Sequence, residues 1–148
     1  MARTYRQGLY TPRHPEKYKG NINNIVYRSS WEYSFCQFLD NNPNIVEWGS
    51  EVVAIPYVKP TDRKVHRYFP DFYIKYKNKH GHVIQEIIEI KPEEQTRTPT
   101  MRGRKREQLL VESIQYVINI AKWKAANQWC KQHGVNFRIL TEKQLFKN

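Results

Sequence analysis

The residues of this chain best suited to chemistry are Asp71, which follows Pro70, and the pair Glu89 and Lys91, which close the run Glu86-Ile87-Ile88-Glu89-Ile90-Lys91. Val83, Ile84, Ile87, Ile88 and Ile90 fall on both parities of that run, as in a strand covered on both faces. Charges at the end of such a strand are costly unless they are used or paired. Because side chains alternate along a strand, Glu89 and Lys91 project from one face, while the backbone carbonyl of Ile90 stays near the same edge. Eighteen residues separate Asp71 from Glu89, and the turn Asn78-Lys79-His80-Gly81 lies between them. Antiparallel pairing about that turn lets the two carboxylates meet. Two carboxylates and a carbonyl make a hard oxygen site suited to Mg²⁺, with Mn²⁺ as a substitute. A metal there polarises a phosphate and activates water, and Lys91 orients that water or neutralises phosphate charge. The bland alternative is a plain hairpin with Glu89 and Lys91 as solvated neighbours, since Glu-x-Lys triplets are abundant. The apolar strand, the Pro-Asp step and the basic surroundings weigh against it.

Several elements must position these groups. Ser29-Ser30-Trp31-Glu32 begins a helix, with a serine cap, an acid in the first turn, and Trp31, Phe35, Phe38 and Leu39 at helical spacing; it ends near Asn41-Asn42-Pro43. Ile45–Trp48 and Glu51–Tyr57 read as short β stretches separated by Gly49-Ser50, followed by a basic loop with Arg63, Lys64 and Arg67. Tyr68–Lys77 and Val83–Lys91 are expected as a pair of strands in an antiparallel hairpin. After Pro92 comes a polar loop, Glu93–Arg106, with Arg97, Arg102, Arg104, Lys105 and Arg106. These cations and those of the preceding basic loop are candidates for DNA phosphates, with a solvated charged loop as the alternative. From about Glu107 the positions Leu110, Ile114, Val117, Ile118, Ala121, Ala125 and Trp129 trace one face of a long helix, stopped at His133-Gly134. Val135–Leu140 is a final strand, and Thr141-Glu142 opens a short helix. The order of elements is that of an α/β sandwich.

A chain of 148 residues, 39% hydrophobic and 14% aromatic, suits one domain with one core. We read residues 1–27 as an extended basic arm, in which Arg3, Arg6, Arg13, Lys17 and Lys19 interleave with Tyr5, Tyr10 and Tyr18, and 28–148 as the domain proper. That arm serves either as a strap over phosphates or a partner, or as a coil packed on its own domain. With 25 Lys and Arg against 14 Asp and Glu, the net charge of +11 points first to a polyanion, and to nucleic acid before a membrane or an acidic protein. No apolar run approaches a membrane span and the first residues do not form a signal peptide, so a soluble, non-secreted protein is expected. Cys36 and Cys130 lie among apolar neighbours and read as buried thiols of a reducing compartment. His80 and His82 flank Gly81 in the turn and lack further zinc ligands nearby. Trp123 and Trp129 suit the core better than base stacking. Gln108 and Gln115 stand on the long helix after the strand of Glu89, where a supporting polar role and a solvated helix face explain them equally.

Pro70-Asp71 together with Glu89-Ile90-Lys91 resembles the PD-(D/E)xK, or restriction-endonuclease-like, nuclease superfamily. The resemblance extends through Ser30-Trp31-Glu32, Asn42-Pro43-Asn44-Ile45-Val46, Tyr68-Phe69-Pro70-Asp71-Phe72, Glu89-Ile90-Lys91-Pro92 and the closing stretch from Lys122 to Glu142. Taken in order, this series looks like the transposon end-cleaving nuclease subunits and, more narrowly, the head completion nucleases of T-even-type tailed phages. It implies a mixed central sheet of about four strands flanked by helices. It also implies a catalytic set of Glu32, Asp71, Glu89 and Lys91, with the metal held by Asp71, Glu89 and the Ile90 carbonyl and supported by Glu32. The partners implied are double-stranded DNA and phage portal or neck proteins, with a location in the virion neck and, during assembly, the host cytoplasm. Two other readings stay open: a structural neck protein that keeps the nuclease fold as a scaffold, and a DNA-binding module with a degenerate site. The second is disfavoured by four intact polar positions.

Overall fold

The computed structural model describes residues 6–146, so Arg3 and Tyr5 of the expected arm lie outside the described residues. In chain order the elements are β1 (Gly8–Leu9), β2 (Val26–Tyr27), α1 (Ser30–Asn41), β3 (Ile45–Ser50), β4 (Ile55–Val58), β5 (Val65–Tyr68), β6 (Phe72–Lys77), β7 (Val83–Ile90), α2 (Arg106–His133), β8 (Asn136–Leu140) and α3 (Glu142–Leu145). One-turn 3₁₀ helices occupy Pro15–Lys17 and Glu93–Thr96.

The central sheet has the order β3-β6-β7-β8, with β6 antiparallel to both β3 and β7, and β7 parallel to β8. The long crossover through α2 is what makes the last pairing parallel. Side chains of β7 alternate between two layers: Ile88 and Ile90 join Trp31, Phe35, Leu39, Trp48 and Phe72, while Ile87 packs with Tyr73 and Cys130. This is the two-faced burial that the apolar run of β7 requires. α1 covers the first layer and α2 the second, where Trp123 and Ala126 pack with Ile55, Tyr57 and Tyr68. Both cysteines are free and buried. No helix among the described residues is long and apolar enough to cross a membrane.

Local chemistry sets the element boundaries. The Ser29 side chain accepts the backbone N–H of Glu32 and caps α1. At the other end, the Lys17 ammonium donates to the carbonyls of Leu39, Asp40 and Asn42, a cation placed where the helix exposes its last acceptors. Gly134 closes α2 in the left-handed conformation, with φ 67°.

Four expectations need correction. The expected strand Tyr68–Lys77 is two strands, because Phe69-Pro70-Asp71 breaks it; β5 pairs with β4 in a separate two-stranded ribbon, Ile55 opposite Tyr68. Proline has no N–H to give a ladder, which is why the break falls there. β3 runs through Gly49-Ser50 instead of stopping at Trp48. The segment read as an extended arm is folded onto the domain from Arg6 onward. β1 pairs with β2, Tyr10 and Ile25 are buried in the α1 layer, and the buried Asp40 carboxylate accepts the Tyr10 hydroxyl (2.6 Å) and the backbone N–H groups of Arg13 (2.7 Å) and His14 (3.0 Å). The apolar face expected on α2 is also displaced: the residues it buries are Ile118, Asn119, Trp123, Ala126 and Cys130, whereas Leu110, Ile114 and Val117 are exposed.

Candidate active site

The hairpin about Asn78–Gly81 pairs Phe72 with Ile88, so one step further along the register Asp71 falls beside Glu89. The backbone N–H of Ile90 donates to Asp71 Oδ2 at 2.7 Å. N–H and C=O of one strand residue leave on the same side, so the Ile90 carbonyl also faces the Asp71 edge. The Pro70 break ends β5 before Asp71, whose backbone carbonyl accepts the Glu51 N–H at 3.1 Å while its carboxylate turns toward β7.

Glu89 is buried, and its two oxygens have different partners. Oε1 accepts the hydroxyl of Tyr68 at 2.7 Å, and Oε2 lies 3.4 Å from the Lys91 ammonium. The backbone N–H of Lys91 donates to the Leu140 carbonyl at 3.0 Å, which fixes the chain just past the end of β7. Glu32, in the first turn of α1, is buried as well; its Oε2 accepts the Ser29 hydroxyl at 3.1 Å. The helix N-terminus favours a negative charge at this position.

The electrostatics report how closely these acids approach. Burial, followed by the charges of Glu89 and Glu32, holds the Asp71 carboxyl well above the usual carboxylate range, against the opposing pull of the Ile90 N–H and Lys91. The buried Glu32 and Glu89 and the half-buried Asp71 thus act on one another, with Lys91 beside Glu89 as a cation of the same cluster. Burial and the Glu89 charge likewise raise the Tyr68 phenol far above its ordinary value, so it remains a donor to Glu89.

Three participants were not singled out from sequence. Tyr68 stands in the motif stretch, but its role depends on the β4–β5 ribbon carrying it back over the sheet. Lys122 of α2 places its half-buried ammonium 5.5 Å from the Tyr68 ring centre and 5.9 Å from that of Tyr57. Burial lowers its pKa, and the Glu89 charge opposes that shift. Arg28 makes a two-pronged contact with Glu51, at 2.8 and 3.2 Å, and its pKa is raised first by that partner and also by Glu32 and Asp71. No local sequence signal marks Lys122 or Arg28, since each reaches the site through tertiary packing.

The cations expected to meet DNA fall into distinct settings. Arg97, Arg102, Lys105 and Arg106 are exposed, the last two at the start of α2; Arg63 and Lys64 are exposed on the β4–β5 turn, and Arg67 lies over the Phe69 ring at 5.5 Å. Arg104 is different. Its guanidinium is drawn into ion pairs with Glu94 and Glu112 and ties the loop to α2.

Among the described residues no three or more His, Cys, Asp and Glu side chains form a ready-made metal cage. The oxygen set here is smaller, and it is of the kind Mg²⁺ takes, one or two carboxylates with the rest left to water and phosphate.

A family model described as TnsA-like endonuclease N terminal matches residues 42–142. The chain belongs to this endonuclease family. It is also similar to the head completion nuclease of Enterobacteria phage T4, at 39% identity over 144 residues, covering 93% of this chain and 92% of the relative. No solved structure matches it. The TnsA-like segment contains Tyr68, Asp71, Glu89, Lys91 and Lys122, whereas Glu32 precedes it and falls within the stretch shared with the phage protein. The four-stranded mixed sheet flanked by helices is consistent with a TnsA-like nuclease fold.

Proposed function

We propose that this protein is a divalent-metal-dependent nuclease that hydrolyses phosphodiester bonds of double-stranded DNA during phage head completion. The observation that carries the reading is the Asp71–Glu89 pair at one end of the β6–β7 hairpin, with Glu89 buried and the Lys91 ammonium 3.4 Å from it. The donor set fits a hard cation: the oxygens are those of carboxylates and a carbonyl, and burial, followed by the charges of Glu89 and Glu32, raises the pKa of Asp71. Asp71, Glu89 and the Ile90 carbonyl would hold Mg²⁺ or Mn²⁺, with Glu32 contributing from α1. When bound, the ion supplies a Lewis acid for the scissile phosphate.

The remaining roles belong to the chain. Lys91 orients the attacking water or neutralises phosphate charge, and its contact with Glu89 fixes its direction. Tyr68 holds the Glu89 carboxylate through its hydroxyl and so positions it as a ligand. Lys122 places a second cation near the acids, anchored over two tyrosine rings. DNA phosphates are met by the exposed Arg97, Arg102, Lys105, Arg106, Arg63, Lys64 and Arg67. Cations at the start of a helix oppose its dipole, and at Lys105 and Arg106 that cost is relieved when a phosphate arrives.

The head completion setting rests on the similarity to the phage T4 protein. In that setting we read the substrate as double-stranded DNA, the partners as portal or neck proteins, and the location as the virion neck, with the host cytoplasm during assembly. The test is cleavage of supercoiled plasmid by the purified protein. Conversion to nicked or linear DNA with Mg²⁺ or Mn²⁺, and none with chelator, is expected. Cleavage that persists in chelator, or no cleavage with either metal, contradicts the reading.

A further inference from the structure

α2 carries two apolar series, and the domain buries only one. Asn119, Trp123, Ala126 and Cys130 point into the molecule, where α2 lies on β4 and β8. Leu110, Ile114, Val117 and Ala121 follow the same alternation of four and three residues, offset by two positions, which is roughly 200° round a helix of about 100° per residue. Leu110, Ile114 and Val117 therefore line the opposite side, and Ala121, half-buried against the cluster of Ile55, Tyr57 and Tyr68, closes the series at its edge. Leu110 is 62% exposed, Ile114 44% and Val117 52%, with Val111 (66%) and Ile120 (38%) beside them. Together these side chains expose on the order of 400 Å², the size at which an apolar patch on a monomer marks an interaction site.

Alternate steps of four and three are the seam of a two-helix coiled coil, which identical helices can satisfy mutually. The ends of the seam decide the partner. One step before Leu110 in the pattern stands Glu107, and one step after Ala121 stands Lys124; both are exposed and neither forms an ion pair among the described residues. When two copies of α2 cross antiparallel, the layers become Glu107 with Lys124, Leu110 with Ala121, and Ile114 with Val117, each repeated by the two-fold axis. Every layer is then apolar or oppositely charged. A parallel pairing would set Glu107 on Glu107 and Lys124 on Lys124 instead. We propose that α2 is the interface of an antiparallel homodimer, with a second copy of this chain covering Leu110, Ile114 and Val117 and a Glu107–Lys124 ion pair closing each end.

The contact from Glu107 to Lys124 is about 26 Å long. With its polar rim it buries roughly 1,000 Å² in total, the low end for a specific complex, so association in the micromolar range follows. Sedimentation equilibrium of the full chain, from about 5 to about 300 µM, reads it directly. The wild type should pass from monomer to dimer across that range. Ile114→Asp should remain monomeric. Glu107→Lys and Lys124→Glu should each weaken association about tenfold, and the double reversal should restore it to within about threefold. Far-UV circular dichroism and thermal melting establish that each variant is folded. A wild type monomeric throughout, an Ile114→Asp variant that still dimerises, or a double reversal that fails to restore association would each overturn the proposal. None of these positions lies in the carboxylate site, so plasmid cleavage is scored separately.

Discussion

The backbone N–H of Ile90 donates to Asp71 Oδ2 at 2.7 Å, which locks the side chain of one strand's first flank to the backbone of its neighbour. That bond turns a hairpin register into a site. It sets the Asp71 carboxylate beside Glu89, and it holds both where the Ile90 carbonyl faces the same edge.

The crowding of acids should be visible in stability. Asp71 has its pKa raised in the folded state, so folding is penalised as pH rises from the unfolded carboxyl value through the folded one. Asp71→Asn should therefore raise the melting temperature of metal-free protein at pH 7.5 by a few degrees, about 1 kcal/mol, and should leave it unchanged near pH 4. Melting curves at the two pH values check this. A variant less stable than wild type at pH 7.5 would count against it.

Tyr68 supplies the hydroxyl that orients Glu89. Tyr68→Phe keeps the ring packed with Ile55 and Tyr57 but removes the donor, so the metal concentration giving half-maximal cleavage should rise roughly 10- to 100-fold. The rate at saturating metal should change less. A metal titration of plasmid nicking separates the two effects.

The basic loop should divide by role. Arg102→Ala removes an exposed cation that we propose meets a phosphate, and the slope of log binding constant against log salt should fall by about 0.9. Arg104→Ala removes the tie to Glu94 and Glu112 instead. It should leave the salt slope nearly unchanged while the loop becomes more sensitive to limited proteolysis. Filter binding at several salt concentrations, with a proteolysis time course, distinguishes these outcomes.

Asp40 tests the N-terminal segment. Its carboxylate accepts from Tyr10, Arg13 and His14, and burial of the group is outweighed by those three bonds, so its pKa is lowered. The stability it provides is present above the unfolded carboxyl value and is lost as pH falls through the folded one. Asp40→Ala leaves three donors unpaired and should cost about 3 kcal/mol, measured by urea denaturation at pH 7.

Much of this arrangement was legible in the residues. The apolar run of β7 ending in Glu89 and Lys91, the turn at Asn78–Gly81, and Pro70-Asp71 carried the hairpin; being apolar on both parities, the run left the register open, and the pairing of Phe72 with Ile88 sets it. Ser29 and Glu32 gave the start of α1 from local chemistry. Tertiary relations were not legible. Tyr68 meets Glu89 only because the Pro70 break sends β5 into a ribbon with β4, and Lys122 meets Tyr68 only through the packing of α2. On α2 itself, two apolar series of equal spacing compete, and periodicity does not tell which one faces the core. The first 27 residues showed no sustained pattern, since the order of residues 6–27 comes from single buried anchors such as Tyr10 on Asp40.

The central claim is tested most directly by the rate of supercoiled plasmid loss in saturating Mg²⁺ for wild type and for Asp71→Asn, with the variant shown to be folded. The account predicts cleavage by wild type and a fall of at least roughly 100-fold in the variant. An Asp71→Asn protein that cuts at the wild-type rate would contradict it.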